Sequence, residues 1–176
     1  ARLVAAARKD GWRSALETVN GQVGLAYVTD ERRATYLDLL PLSPAARVLE
    51  IGASLGQHTV PLARRVGSLC ALEVVPGQAA FAAERCRQEG LANVTVACGG
   101  DDCRLPYADG RFDCVVLNLV FEWCGTRSAD GPEVSQRRLL AQMHRVLKPG
   151  GTLWLATKNR YALRLLTGGR DEHAFE

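Results

Sequence analysis

Arg47-Val48-Leu49-Glu50-Ile51-Gly52-Ala53-Ser54-Leu55-Gly56-Gln57 decides the fold. An apolar run ends at an acid, breaks into glycine and small residues, and gives way to a helical pattern from about Thr59 to Arg65. This reads as strand, tight turn and helix, the helix presenting its first amides to the gap. Glycine lets a ligand approach the main chain there, because no side chain intervenes. Such a turn is the nucleotide-binding corner of an open α/β sheet.

Downstream, strand patterns at 47–51, 69–74, 93–98, 113–119 and 152–157 alternate with helical patterns at about 57–66, 77–89, 133–147 and 159–166. That alternation predicts βαβ crossovers and a mainly parallel, doubly wound α/β sheet, with right-handed crossovers placing helices on both faces. Pro76 and Gly90 bracket the second crossover helix. Leu147-Lys148-Pro149-Gly150-Gly151 stops the next and turns into the fifth strand. Upstream, residues 3–19 and 29–40 read as two helices, with a turn signal at Asn20-Gly21. They are expected to form an N-terminal cover over 1–44, ahead of a ligand-binding domain over 45–176, and to lie over the sheet's ligand edge.

The totals suit one compact domain: 176 residues, 47% hydrophobic and 23% charged. No apolar run is long enough to span a membrane, and no basic-then-apolar leader is visible. A net charge of +3 with mixed signs gives no case for nucleic acid. Six cysteines without a Cys-x-x-Cys pair read as reduced thiols of a cytoplasmic protein. Cys98, Cys103 and His58 lack zinc spacing, so no metal is expected. The chain starts at Ala1, with Met143 its only methionine, and is expected to be part of something longer.

Three features fall at successive strand ends. The first is the turn itself, Glu50-x-Gly52-x-Ser54-x-Gly56. The second is Glu73, which follows Glu50 at close to the ~20-residue spacing at which an acid receives a ribose; a carboxylate there accepts from two vicinal hydroxyls. The third is Gly100-Asp101-Asp102-Cys103, whose acids suit an exocyclic amine. Alone, each is an ordinary turn or a solvated acid. Together they suit an adenosine-bearing ligand. A nicotinamide site fits less well, because Gly-x-Gly-x-x-Gly would place glycines where Ser54 and Gln57 stand.

The ensemble resembles the class I S-adenosylmethionine-dependent methyltransferases of bacterial type. Val48 to Gly56 is similar to the family's first motif, and Glu73 to the acid after its second strand. Gly100-Asp101-Asp-Cys-Arg-Leu-Pro-Tyr-Ala-Asp-Gly-Arg-Phe-Asp113 resembles its Leu-Pro-Phe stretch, and Arg145 to Gly151 the turn before its fifth strand. The resemblance implies a Rossmann-like fold and S-adenosylmethionine as cofactor. It places Gly52, Ala53, Ser54 and Gly56 along the methionine part, Glu50 at the amino group and Glu73 at the ribose hydroxyls. Val74 and Val75 fall beside the adenine, Asp101 at its amine, the Asp102 amide at a ring nitrogen, and Asn118 and Leu119 beside the sulfonium. Ser54 departs from the family's glycine, a change that costs little at negative φ and endangers cofactor binding at positive φ.

The expected acceptor is a small molecule or a glycan intermediate. His58, at the first helix N-terminus, reads more often as a capping or packing residue but could reach it; Glu122 and Trp123 face its opening, Trp123, Tyr27 and Tyr36 are equally readable as packing, and His144 reads as structural or exposed. Arg160, Arg164 and Arg170 make the tail basic, which suits a solvated face or an anionic acceptor. No catalytic base announces itself. The family's closing strand hairpin is not visible, so five strands are expected. The alternative function is an inactive binding module of the same fold.

Overall fold

The computed structural model describes residues 2–126, 128–158 and 163–169. Five parallel strands form one sheet in the order β3-β2-β1-β4-β5: β1 Arg47–Ile51, β2 Ser68–Glu73, β3 Val94–Cys98, β4 Phe112–Asn118 and β5 Leu147–Ala156. The order reverses between β1 and β4, which makes the crevice beyond their carboxyl ends the switch point of the sheet.

The helices follow the sequence pattern with differences in extent. After the glycine turn only Thr59–Ala63 is helical (α3), because Arg64 is already a cap. α4 (Pro76–Gln88) starts on its proline, and α5 spans Gly131–Val146. β5 starts earlier than expected, at Leu147. Its pairing with β4 jumps from Phe112↔Leu147 to Cys114↔Thr152, so Lys148-Pro149-Gly150-Gly151 forms an irregularity within the strand pairing rather than a turn before it. Residues 159–162, part of an expected helix, and 170–176 lie outside the described residues, and α6 is Leu163–Leu166.

Each sheet face has its own core. Val48, Leu69 and Val116 pack with Leu62 and Ala63 of α3 and Leu37 from a 3-10 segment, Glu31–Leu39. Leu49, Leu72, Val115 and Leu117 pack with Leu139, Met143 and Val146 of α5. These alternate along each strand, as period two requires, and each buried side chain contributes roughly 1.5–3 kcal/mol.

The N-terminal segment divides into three elements rather than two. Residues 3–19 break at Gly11 (φ 88°), which gives α1 (Arg2–Asp10) and α2 (Trp12–Thr29), and Gly21 (φ 66°, ψ −178°) kinks α2 at the expected turn. Their buried residues pack on Phe81 of α4, with Leu55 of the glycine turn against the same cluster. Trp12 fixes them: its indole N–H donates to Glu89 and its backbone N–H to Gln88, while the guanidinium groups of Arg13 and Arg85 lie 4.4 and 4.3 Å from its ring.

Candidate functional site

β1 and β2 deliver Glu50 and Glu73 to neighbouring strand ends, both buried. Glu73 holds the turn in place: its Oε2 accepts from the Ser54 amide at 2.7 Å and its Oε1 from the Val75 amide at 2.9 Å. Gly52 (φ 87°) and Gly56 (φ 80°) take left-handed conformations. A Cβ on Gly52 would stand 2.3 Å from Cγ2 of Val120, so the loop after β4 requires glycine there. Ala53 is buried.

Ser54 has φ 47°, the strained case. A left-handed non-glycine residue costs about 1–2 kcal/mol. A hydrogen bond to a charged group contributes about 1.5–3 kcal/mol. The Glu73 bond to the Ser54 amide thus offsets the strain. Only two other described non-glycine residues have positive φ, Cys103 (59°) and Leu119 (58°). All three fall in segments that leave a carboxyl strand end, where stored strain tends to mark a site.

Glu50 lies fully inside. Burial pushes its carboxyl up to about 7, opposed by the nearby Thr59 hydroxyl and reinforced by the Glu73 charge. Thr59 makes no aligned hydrogen bond, and Glu50 Oε2 has no partner. A buried acceptor in that state is costly unless a ligand satisfies it.

The remaining expected residues form a rim. Val74, Val75 and Leu119 are exposed apolar side chains beyond β2 and β4. Asp101 and Asp102 are exposed, with Asp102 Oδ1 accepting from the Arg104 amide at 2.9 Å. Asn118, half-buried, has its amide nitrogen 3.1 Å from His58 Nε2 and its oxygen 3.4 Å from the Trp154 indole nitrogen. Tyr36 stacks on Trp154 at 4.9 Å and meets the His58 ring edge-on at 5.5 Å. His58 makes no helix-capping bond. Burial, then the Arg33 charge, lower its imidazole to about 4, which leaves it neutral. Sequence reasoning left His58 and Tyr36 ambiguous and missed Arg33, Thr59 and Trp154. Only the position of His58, just past Gly56, carried a signal.

Other motif residues serve the scaffold. Arg145 donates to the carbonyls of Leu105 and Tyr107, at 2.9 and 2.7 Å, and ties the Leu-Pro-Tyr stretch to α5. Asp113 accepts from the Arg47 amide and from Lys148, fastening the other end of the sheet. Trp123 is exposed, and Glu122 accepts from Thr157. His144 is exposed. Cys98, Cys103 and His58 do not gather: no group of three metal-ligating side chains occurs among the described residues. The six cysteines are free, and no described helix is long and apolar enough to cross a membrane. A cavity of about 610 Å³ lies between the 3-10 segment and α3, lined by Asp30, Gln57, Arg64, Arg85 and Glu89 among others.

An open parallel sheet with a glycine turn and two buried acids at its switch point defines an α/β ligand-binding domain of nucleotide-binding type. Residues 49–155, more than half of the chain, match the family model for a methyltransferase domain, and the chain belongs to that family, the class I S-adenosylmethionine-dependent methyltransferases. It is 36% identical over 125 residues to a demethylmenaquinone methyltransferase of Beutenbergia cavernae, covering 71% of this chain and 45% of that one. It is 33% identical over 123 residues to a malonyl-[acyl-carrier protein] O-methyltransferase of Marinomonas sp., covering 69% and 41%. The chain therefore spans less than half the length of these two relatives. In fold it is similar to a SAM-dependent methyltransferase from Aquifex aeolicus, with TM-score 0.57 and 21% identity over 78% of this chain and 68% of that one.

Proposed function

We propose that the protein transfers a methyl group from S-adenosylmethionine to a small organic acceptor. The observation that carries this reading is Glu50: a buried carboxylate with one oxygen unpartnered, directly before a glycine turn that exposes backbone. An ammonium group there would satisfy Oε2 and draw the carboxyl below its raised value, since an opposite charge favours ionisation.

The residues fit the rest of such a ligand. Gly52, Ala53, Ser54 and Gly56 would run along its methionine part. Glu73 keeps lone pairs beyond its two amide bonds for the ribose hydroxyls. Val74 and Val75 offer an apolar face to the adenine, Asp101 an acceptor for its amine and the Asp102 amide a donor. When bound, S-adenosylmethionine supplies an activated methyl on sulfonium sulfur. Asn118, held from two sides, and Leu119 would set the wall beside that sulfur. The chain's contribution is then orientation and exclusion of water rather than a named base.

Small-molecule acceptors fit the relatives named for malonyl-[acyl-carrier protein] and demethylmenaquinone methylation. A glycan intermediate is the other acceptor class that the basic tail suits. The left-handed Ser54 favours one second reading, an inactive binding module, in which the turn no longer holds the cofactor. Calorimetric titration with S-adenosylmethionine and S-adenosylhomocysteine separates the two: micromolar binding supports the enzyme, and no binding of either by folded protein sinks it. Labelled methyl transfer to candidate acceptors then identifies the substrate.

A further inference from the structure

We propose that the cavity between the 3-10 segment and α3 binds a small phosphorylated molecule, its phosphate group held by Arg13, Arg64 and Arg85. This site is separate from the one described above: no residue named for the cofactor lines the cavity.

Glu89, at the end of α4, serves several cations at once. Its Oε1 accepts from the Trp12 indole at 3.0 Å and lies 3.5 Å from the Arg13 guanidinium, and its Oε2 accepts from Arg64 at 2.7 Å. Arg85, one turn earlier on α4, joins the group: its guanidinium and that of Arg13 both lie against the Trp12 ring. All four charged side chains line the cavity. Three guanidinium groups thus share one carboxylate, and two positive charges stay uncancelled.

Arg85 is the member left unmatched. It is 5% exposed. Its Nη1 donates to the Leu55 carbonyl at 3.1 Å, and its Nε is buried without a partner among the described residues. Burial pushes its guanidinium down to about 10, which leaves it charged near neutral pH. A buried charge without a counter-ion is costly. The rest of the cavity wall supplies none: Asp30 and Asp38 are held by Arg32 and Arg65 at 2.9 and 2.6 Å, and Glu31 is exposed next to Asp30. Two uncancelled charges match a phosphate group, which carries about −1.5 to −2 near neutral pH, better than a carboxylate with one. Guanidinium forks also suit phosphate oxygens. About 610 Å³ leaves room for an organic body beyond the phosphate. Val28 and Val60 give that body an apolar wall, and Gln57 Oε1, buried without a partner, gives it an acceptor for a hydroxyl.

Trp12 makes the site visible, because its indole N–H is bonded to Glu89. The test follows the indole ¹H–¹⁵N signals, with Trp12 assigned by elimination through Trp123→Phe and Trp154→Phe. Glycerol 3-phosphate, inorganic phosphate or acetate is added at an ionic strength held constant with sodium chloride. Both phosphates should shift the Trp12 signal saturably, glycerol 3-phosphate at the lower concentration, and acetate should not. Arg85→Met, which replaces the buried charge with an apolar side chain, should fold at least as stably as wild type. It should bind both phosphates at least about tenfold more weakly, the low end for hydrogen bonds to a charged group. Arg13→Gln changes a mostly exposed side chain and should weaken both phosphates several-fold, which keeps the test decisive if Arg85→Met does not fold. No saturable Trp12 shift with either phosphate, an equal response to acetate, or undiminished phosphate binding by the variants overturns the site. Inorganic phosphate binding as tightly as glycerol 3-phosphate overturns the organic body and makes the free ion the ligand.

Discussion

The backbone amide of Ser54 donates a 2.7 Å hydrogen bond to Oε2 of Glu73, at the end of the neighbouring strand. One carboxylate therefore fixes the turn it serves with, and Ser54 holds a left-handed angle because this bond offsets the cost. Ser54→Gly relieves about 1–2 kcal/mol of strain but adds roughly 0.4–1 kcal/mol of unfolded-state entropy. Its denaturant midpoint should stay close to wild type. Ser54→Val, β-branched and unsuited to positive φ, should lose more than about 1 kcal/mol. A valine variant as stable as wild type would refute the strained geometry.

Glu73→Ala removes the acceptor for two backbone amides as well as the proposed ribose contact. Stability should fall by about 1–3 kcal/mol and S-adenosylhomocysteine affinity by about 1.5–3 kcal/mol. Chemical denaturation and calorimetry read the two losses separately. Lost affinity at full stability would mean that Glu73 does not hold the turn.

Glu50 links stability to pH. Its folded value of about 7 exceeds the ordinary 4.5, so the folded state retains the proton across that interval. This contribution is fully present below about pH 4.5 and is lost as pH rises to about 7. His58, lowered to about 4 from 6.5, acts oppositely: its contribution is lost as pH falls through about 4 to 6.5. Comparison with Glu50→Gln cancels the histidine. The variant should gain on wild type as pH rises from about 4.5 to 7, by at most about 1.4 kcal/mol per unit, while binding S-adenosylhomocysteine more weakly. A pH-independent difference in stability would contradict the burial of an ionisable Glu50.

Arg145→Met should lower stability by about 2–3 kcal/mol, since the carbonyls of Leu105 and Tyr107 lose their charged donor. Cofactor affinity should fall less than in Glu73→Ala. A larger affinity loss than stability loss would move the Leu-Pro-Tyr stretch from scaffold to site.

The alternating pattern made the sheet legible because strand and helix periods differ and β1–β4 fall within a residue of their expected ends. The turn was equally legible, because glycine, small residues and strand-end acids carry their chemistry in their identities. β5 was misjudged at its start: the register jump at Lys148 to Gly151 depends on Asp113, far away in sequence. The N-terminal breaks were less legible, because Gly11 and the Gly21 kink set them and an apolar helix face does not say which partner it will meet.

By itself, the sequence determined the parallel α/β architecture, the methyltransferase resemblance and the strand-end acids. All three follow from local periodicity and residue type at near-fixed spacing. Tertiary structure alone decided the backbone angle at Ser54, the double hold of Glu73 on its own turn, and the unmatched polar atoms of Glu50 and Arg85. Each of these depends on what stands across the gap between segments distant in the chain, and burial there changes what a side chain must find as a partner.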